Sequence, residues 1–262
     1  MVAKSPIRHS ITGAGPPVVL LHGLFGSGGN LGALARSLAE TYTVFSLDLP
    51  NHGRSEWLEE ATLARLAGAV LKWMDQEKLI STAFVGHSLG GKVAMEIALS
   101  SPQRCATAVI ADIAPVSYSP HHDSVFAALD AVVSGGVKSR GEAAQIMSEY
   151  LKEEGVIQFL LMSLQRAPDG NYGWRFNLQG IKDNYQAVRA GPDVERPFER
   201  PVLFIKGGDS DYILPEHTER VLQLFPAAQV KVMLDCGHWL HAQQPALFNS
   251  IVGRFLERQY LT

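Results

Sequence analysis

The sequence predicts an α/β protein: a mostly parallel, doubly wound sheet with helices on both faces and a helical segment inserted before the sheet is complete. Three observations lead there. Apolar runs of strand length, such as Val18-Val19-Leu20-Leu21, alternate with segments whose apolar residues recur at helical spacing. Those runs are nearly continuous, as strands covered on both faces require. The alternation stops between about Val116 and Arg200, where helix-like segments follow one another with polar joints, and then resumes. The expected division is residues 1–115 and 200–262 as one core domain, with 116–199 as a helical cap inserted in it.

The elements follow in order. Ile7 to Thr12 reads as an early strand ending at Gly13-Ala14-Gly15, and Val18 to Leu21 as the next, running into the glycine-rich loop His22 to Gly29. Leu31, Leu34, Ala35 and Leu38 mark a helix. Tyr42 to Leu47 is a strand that stops at Asp48-Leu49-Pro50-Asn51-His52-Gly53-Arg54-Ser55. Leu63, Leu66, Ala67, Val70, Leu71 and Met74 lie on one face of an amphipathic helix. Thr82 to Val85 is a short strand; after Gly86 to Gly90, Val93, Ala94, Ile97 and Ala98 repeat at helical spacing. Ala106 to Ile110 forms a strand leading into Asp112-Ile113-Ala114-Pro115. In the inserted stretch, helices are expected over Val125–Val133, Ala143–Leu151 and Val156–Leu164, with no strands. Beyond it come a strand at Val202–Lys206, a helix from about Glu216 to Phe225, a strand at Val230–Leu234 and a last helix from Pro245 to Arg258.

Composition removes several function classes. With 46% hydrophobic and 19% charged residues, the 262-residue chain is ordinary for a globular protein of one large domain. Its net charge of −3 and lack of a basic run argue against nucleic-acid binding and polybasic membrane attachment. The first fifteen residues hold no apolar segment of the kind a secretory leader needs, and no run approaches a membrane span. Cys105 and Cys236 are the only cysteines and lack paired metal-ligand spacing. They are expected to be reduced thiols in a cytoplasmic protein.

The chemistry concentrates at strand ends. Gly86-His87-Ser88-Leu89-Gly90 fits G-x-S-x-G between a strand and a helix, a sharp turn that lifts a serine hydroxyl out of the sheet. A serine is a weak nucleophile and needs a base, itself oriented by a third group. His238, just after the last expected strand, is the candidate base; His241, three residues on, would point into the helix that follows. Two acids compete. Asp112 follows the strand after the serine helix, and Asp211 follows the next strand in Gly208-Asp209-Ser210-Asp211-Tyr212-Ile213-Leu214-Pro215. Either loop is within reach of His238 in such a sheet, and the residue pattern leaves the choice open; Asp209 reads as a turn residue.

An attacked carbonyl becomes an oxyanion and needs preorganised donors. The amides of Leu89 and Leu24 are the candidates. Gly23, Phe25, His87 and Trp239 are expected to border the substrate, while His22 and His52 read as structural, as His87 also can. No G-K-[S/T] follows the glycine loop, so it is not a phosphate loop. His121-His122-Asp123 supplies no third metal ligand, and adjacent histidines in a regular element point apart. No metal and no cofactor are expected. Phe126, Leu129, Phe159, Leu160 and Met162 are expected to divide between cap packing and an acyl pocket.

The stretches His22-Gly23-Leu24-Phe25-Gly26-Ser27, Asp48 with Asn51-His52-Gly53-Arg54-Ser55, Gly86 to Lys92, Asp112 to Val116 and Gly237-His238-Trp239-Leu240-His241 together resemble the bacterial YbfF esterase group of the α/β-hydrolase superfamily. The resemblance spans nearly the whole chain and is weakest in the cap. It implies an α/β-hydrolase fold and a cofactor-independent carboxylesterase or thioesterase acting on small-molecule esters of short-to-medium acyl groups, with acyl-CoA thioesters as a further candidate class. It also implies that the acid is Asp112, although this sequence keeps Asp211, where that group tends to lose the acidic residue. The same triad serves carbon–carbon bond hydrolysis and haloperoxidase-like perhydrolysis, and the fold also serves ligand binding without turnover. A monomer or homodimer is expected.

Overall fold

The computed structural model describes residues 7–167 and 170–261. Residues 1–6, part of the stretch read as carrying no leader, lie outside the described residues. The elements are β1 (Arg8–Thr12), β2 (Pro17–Leu21), α1 (Gly32–Leu38), β3 (Thr43–Asp48), α2 (Leu63–Gln76), β4 (Thr82–His87), α3 (Leu89–Ser100) and β5 (Cys105–Ala111). Between β5 and the next sheet strand come α4 (Asp123–Ser134), α5 (Arg140–Ser148), α6 (Glu154–Leu161), β6 (Leu164–Arg166), β7 (Tyr172–Trp174), α7 (Leu178–Asp183) and α8 (Tyr185–Arg189). The chain then closes with β8 (Val202–Gly207), α9 (Thr218–Leu224), β9 (Ala228–Met233), α10 (Leu240–Gln243) and α11 (Pro245–Tyr260).

Seven strands form one sheet in the order β1-β3-β2-β4-β5-β8-β9. All neighbours are parallel except the edge strand β1, which runs antiparallel to β3 with Arg8 opposite Asp48. Alternate residues of each strand feed different layers. On β2, Val19 and Leu21 join one core with α2 and α3, whereas Val18 and Leu20 join another with α1 and α11. Both layers are needed because β4 and β5 are buried throughout but for Ala106, so neither face can meet water. α3, buried at all but its last residue, lies under this cover and takes the chain away from Ser88. α2 begins at Thr62, whose hydroxyl accepts from the Arg65 amide at 3.2 Å, and it buries Trp73 completely.

The segment between β5 and β8 has its own apolar core, in which Leu129, Val132, Met147, Ile157, Leu160 and Phe176 are buried together. Three of its features depart from the sequence reading. Leu164–Arg166 and Tyr172–Trp174 pair as an antiparallel hairpin where no strand was expected, because three-residue strands are too short to show a period. The helix expected to reach Leu164 stops at Leu161 to make room for it. α7 and α8 were also unforeseen: six and five residues long, they give no helical repeat. Among the described residues no helix is long and apolar enough to cross a membrane.

Candidate active site

β4 ends at His87 and α3 begins at Leu89, so Ser88 alone makes the turn between them. Its backbone sits at φ 51, ψ −116, a conformation that residues with a side chain rarely adopt. The surroundings hold it there. Its amide donates to Ala111 O at 3.0 Å, and its carbonyl accepts from the Lys92 amide at 3.1 Å. Gly86 makes the turn possible, since a Cβ at that position would fall 2.3 Å from Gly90 O. As the first residue of α3, Leu89 has no intrahelical acceptor for its amide, and the positive end of the helix lies at the same point.

Asp112 stands just past β5, fully buried, at φ 51. Its Oδ1 accepts from the Gly207 amide at 2.9 Å, and its Oδ2 accepts from His238 Nδ1 at 2.8 Å and from the Ser210 hydroxyl. A carboxylate only accepts, so His238 Nδ1 carries a proton and donates it, and in the neutral ring Nε2 is the nitrogen with the lone pair. Two further contacts hold that residue. The carbonyl of His238 accepts from His87 Nε2 at 2.9 Å, and Tyr212 stacks on the imidazole with centroids 3.9 Å apart at 22°. Tyr212 is held in turn by the Tyr118 hydroxyl, which donates to its carbonyl and accepts from the Ala114 amide at 2.8 Å.

The loop after β2 is built around two buried histidines. His22 Nδ1 donates to Gly23 O at 2.7 Å, and its Nε2 accepts from the Leu49 amide at 3.0 Å. His52 Nδ1 donates to Pro50 O at 2.9 Å, and its Nε2 accepts from the Phe25 amide at 3.1 Å. Asp48 ties the two loops together by accepting from the Gly28 and Arg54 amides at 2.8 and 3.0 Å. Gly26 N–H returns to Gly23 O and Phe25 N–H is taken by His52, so these two amides of the turn are committed and the Leu24 amide lies between them. The turn lies against the serine: a Cβ on Gly23 would be 3.3 Å from Ser88 Cβ.

These groups open on a cavity of about 820 Å³ between the sheet edge and the inserted segment. Gly23, Leu24, Phe25, Ser88 and His238 border it from the core, and Val125, Val156, Phe159 and Leu160 from the insert. His87 and Trp239 border it too, and Phe159 meets Trp239 with ring centroids 5.8 Å apart. An apolar cavity with a few convergent polar groups is the usual form of a small-molecule site.

Burial disfavours the charged form of His22, His52, His87 and His241. It lowers His22, brings His52 down to about 3, and sends His87 well below its ordinary value, with His241 and His238 adding to the effect at His87. Burial first and His238 second bring His241 to about 4.

The family model described as "Alpha/beta hydrolase family" matches residues 18–251. The chain belongs to the alpha/beta hydrolase family. This hydrolase is 38% identical to "Esterase YbfF" of Escherichia coli over 92% of each chain. It is 34% identical to the mouse "sn-1-specific diacylglycerol lipase ABHD11", with 92% of this chain and 81% of that protein covered. A solved structure described as "Marine microorganism esterase" superposes with a TM-score of 0.92 at 33% identity, covering 95% of this chain and 99% of the other. The hydrolase is thus an enzyme of the esterase and lipase branch of its family.

Of the two aspartates weighed from the sequence, Asp112 is the one bonded to His238, while Asp211 is exposed at the cavity rim and is not a hydrogen-bond partner of that ring. His241 does enter the following helix and packs beside His87, centroids 4.4 Å apart. Two expectations need correction. His121 and His122 do not point apart: they lie in the irregular run into α4, and their rings sit 4.1 Å from each other. Met162, expected in cap packing or the pocket, is 52% exposed because α6 ends before it.

Sequence reasoning missed the hydrolase's supporting groups. His121 Nδ1 donates to Ser119 O at 2.7 Å, which leaves Nε2 to accept from the Tyr212 hydroxyl at 2.6 Å; His122 Nδ1 is 2.6 Å from the Tyr185 hydroxyl. Ser210, between Asp209 and Asp211, gave no signal of its own. Lys92 was visible only as the tail of the glycine motif. Its ammonium is buried, donates to Val116 O at 2.9 Å, Arg189 O at 2.7 Å and Ala190 O, and lies 4.8 Å from the centre of the Tyr118 ring. Desolvation, with Arg189 adding to it, brings its pKa down to about 7.

Proposed function

We propose that this hydrolase is a serine carboxylic ester hydrolase that works through an acyl-enzyme on Ser88. Ser88 Oγ attacks the ester carbonyl while its proton passes to His238 Nε2. Asp112 keeps the imidazole in the Nδ1–H tautomer and stabilises the imidazolium that forms. The oxyanion accepts from the Leu24 and Leu89 amides. His238 then returns the proton to the leaving oxygen or sulfur as the bond to the acyl carbon breaks. A water, deprotonated by the same ring, releases the acid and restores the Ser88 hydroxyl.

One observation carries this reading: the 2.8 Å contact between Asp112 Oδ2 and His238 Nδ1, which leaves a basic nitrogen on a ring bordering the same cavity as the strained Ser88. The substrates are small-molecule esters, with thioesters included because the same steps serve a sulfur leaving group. Residues 116–199 act as the cap, and Gly23, Phe25, His87 and Trp239 border the bound substrate. The enzyme works in the cytoplasm without metal or cofactor, as a monomer or homodimer.

The test is steady-state hydrolysis of p-nitrophenyl esters from acetate to palmitate and of acyl-CoA thioesters, beside Ser88→Ala. Turnover lost in the variant supports the mechanism. Absence of serine-dependent turnover on every substrate overturns it.

A further inference from the structure

The backbone of Tyr212 is held on both sides. Its amide donates to Ser210 Oγ at 3.3 Å, and the Ser210 hydroxyl donates in turn to Asp112 Oδ2. Its carbonyl accepts from the Tyr118 hydroxyl. Neither bond sets the direction of the phenol ring, which is the part that stacks on His238 at 3.9 Å and 22°. The Tyr118 ring packs beside it, with centroids 5.4 Å apart at 52°, but the Tyr118 hydroxyl is spent on backbone groups. The phenol hydroxyl bonds instead to His121, which stands on the run into α4.

His121 is aimed at that hydroxyl. Its Nδ1 lies 2.7 Å from Ser119 O, and a carbonyl only accepts, so Nδ1 carries a proton. In the neutral ring Nε2 is then the acceptor, and the Tyr212 hydroxyl donates to it at 2.6 Å. The His121 amide donates to the Tyr185 hydroxyl at 3.4 Å, and the His122 ring packs 4.1 Å away. That same tyrosine hydroxyl is 2.6 Å from His122 Nδ1, so α8, near the exit of the insert, holds the entry segment on which both histidines stand.

Three rings thus run in line from the insert to the base: His121, Tyr212 and His238. His121 is exposed, and a bond that water can replace adds little to stability. What it decides is where the phenol face lies. A stacked face keeps the imidazole in one plane, and its negative potential favours the imidazolium that forms as Ser88 gives up its proton.

We propose that His121 is a positioning residue for the hydrolysis: through the Tyr212 hydroxyl it holds the phenol face against His238, so full orientation of the base requires the insert to be seated on the core. This rests on the serine mechanism proposed above, in which both acylation and deacylation pass through His238. His121 also borders the cavity, and direct contact with the substrate is the rival role.

The test is steady-state hydrolysis of p-nitrophenyl acetate by wild type, Ser88→Ala, His121→Leu, His121→Gln, Tyr212→Phe and the double variant His121→Leu with Tyr212→Phe. His121→Leu should lower kcat about ten-fold, as a small displacement of a base does, with KM within about two-fold of wild type. Tyr212→Phe keeps the stacked ring but loses the hydroxyl, and should show the same loss. Because the two residues act through one bond, the double variant should be no slower than either single one. His121→Gln, which offers an acceptor at similar reach, should recover most of the rate. The thermal midpoint of His121→Leu should stay within about 2 °C of wild type. An unchanged kcat, a rise in KM alone, losses that multiply in the double variant, or a loss that His121→Gln does not relieve would each overturn the proposal while serine-dependent hydrolysis still stands. Turnover that survives in Ser88→Ala overturns the mechanism beneath it.

Discussion

His87 donates through Nε2 to the backbone carbonyl of His238 at 2.9 Å, so the residue before the serine fixes the loop that carries the ring opposite it. Burial keeps His87 neutral, and the bond therefore does not vary with a charge on that ring across the working pH range. In the proposed mechanism His87 therefore positions the base through its backbone. Replacing it with alanine should lower kcat roughly ten- to a hundred-fold, as small displacements of a base do. His87→Gln, which keeps a donor at similar reach, should recover part of the loss. Steady-state kinetics on a short-chain p-nitrophenyl ester checks this, with the thermal midpoint measured alongside. An unchanged kcat in the folded His87→Ala variant would contradict it.

Asp112 and Asp211 make opposite predictions. Asp112 accepts from His238 Nδ1, the Ser210 hydroxyl and the Gly207 amide, and an asparagine there favours the wrong imidazole tautomer. Asp112→Asn should cost roughly 10³–10⁴ in kcat. Asp211→Asn, at the exposed rim, should stay within a few-fold of wild type. The reverse ranking would move the acid to Asp211.

Lys92 joins α3 to both ends of the insert, through Val116 on entry and Arg189 and Ala190 on exit. Lys92→Met removes every one of those donors and leaves three carbonyls without this partner. Each buried carbonyl left unpaired costs about 1–3 kcal/mol, less wherever water enters. The insert should therefore loosen before the sheet does, and limited proteolysis should cut within 116–191 faster than in wild type. Equal cleavage rates would show that the two connections are held by other contacts.

Acid stability follows from the buried histidines. His52 and His122 titrate at about 3 and His241 at about 4 in the folded protein, in each case chiefly because burial disfavours the charged ring. Unfolded, each would titrate near 6.5. Between about pH 6.5 and 4 the unfolded chain therefore binds more protons, and stability is lost as pH falls. The slope is about 1.4 kcal/mol per pH unit for each ring once it is fully protonated in the unfolded state. Urea unfolding at pH 7, 6 and 5 measures this, and a stability that is flat or rises toward pH 5 would contradict the neutral assignment.

How much the sequence reveals depends on how far each feature is encoded locally. Val18 to Leu21, Ala83 to Val85 and Val202 to Ile205 are continuous apolar runs because both faces of the sheet are covered, and such runs survive any loop change. The Ser88 turn is legible because its glycines are a steric need of the turn itself. The acid was ambiguous from residue pattern alone, since the partner of His238 is set by which loop crosses toward it, a long-range fact 126 residues apart in the chain. Tyr212 on His238, Ser210 on Asp112 and Lys92 under the insert were invisible for the same reason. The pairing of β6 with β7 and the helices α7 and α8 escaped because each element is too short to repeat its period often enough to be recognised. His121 and His122 were misread because the rule that adjacent side chains diverge holds within regular elements, and they lie in neither a helix nor a strand.

The central claim is that Ser88, served by His238 and Asp112, is the nucleophile. Its most direct test is covalent trapping with a fluorophosphonate, read by intact mass and peptide mapping. One equivalent on the peptide containing Ser88, slowed by orders of magnitude in Asp112→Asn and absent in Ser88→Ala, is the predicted result. A protein that takes up no label, or takes it up at another residue, would contradict the account.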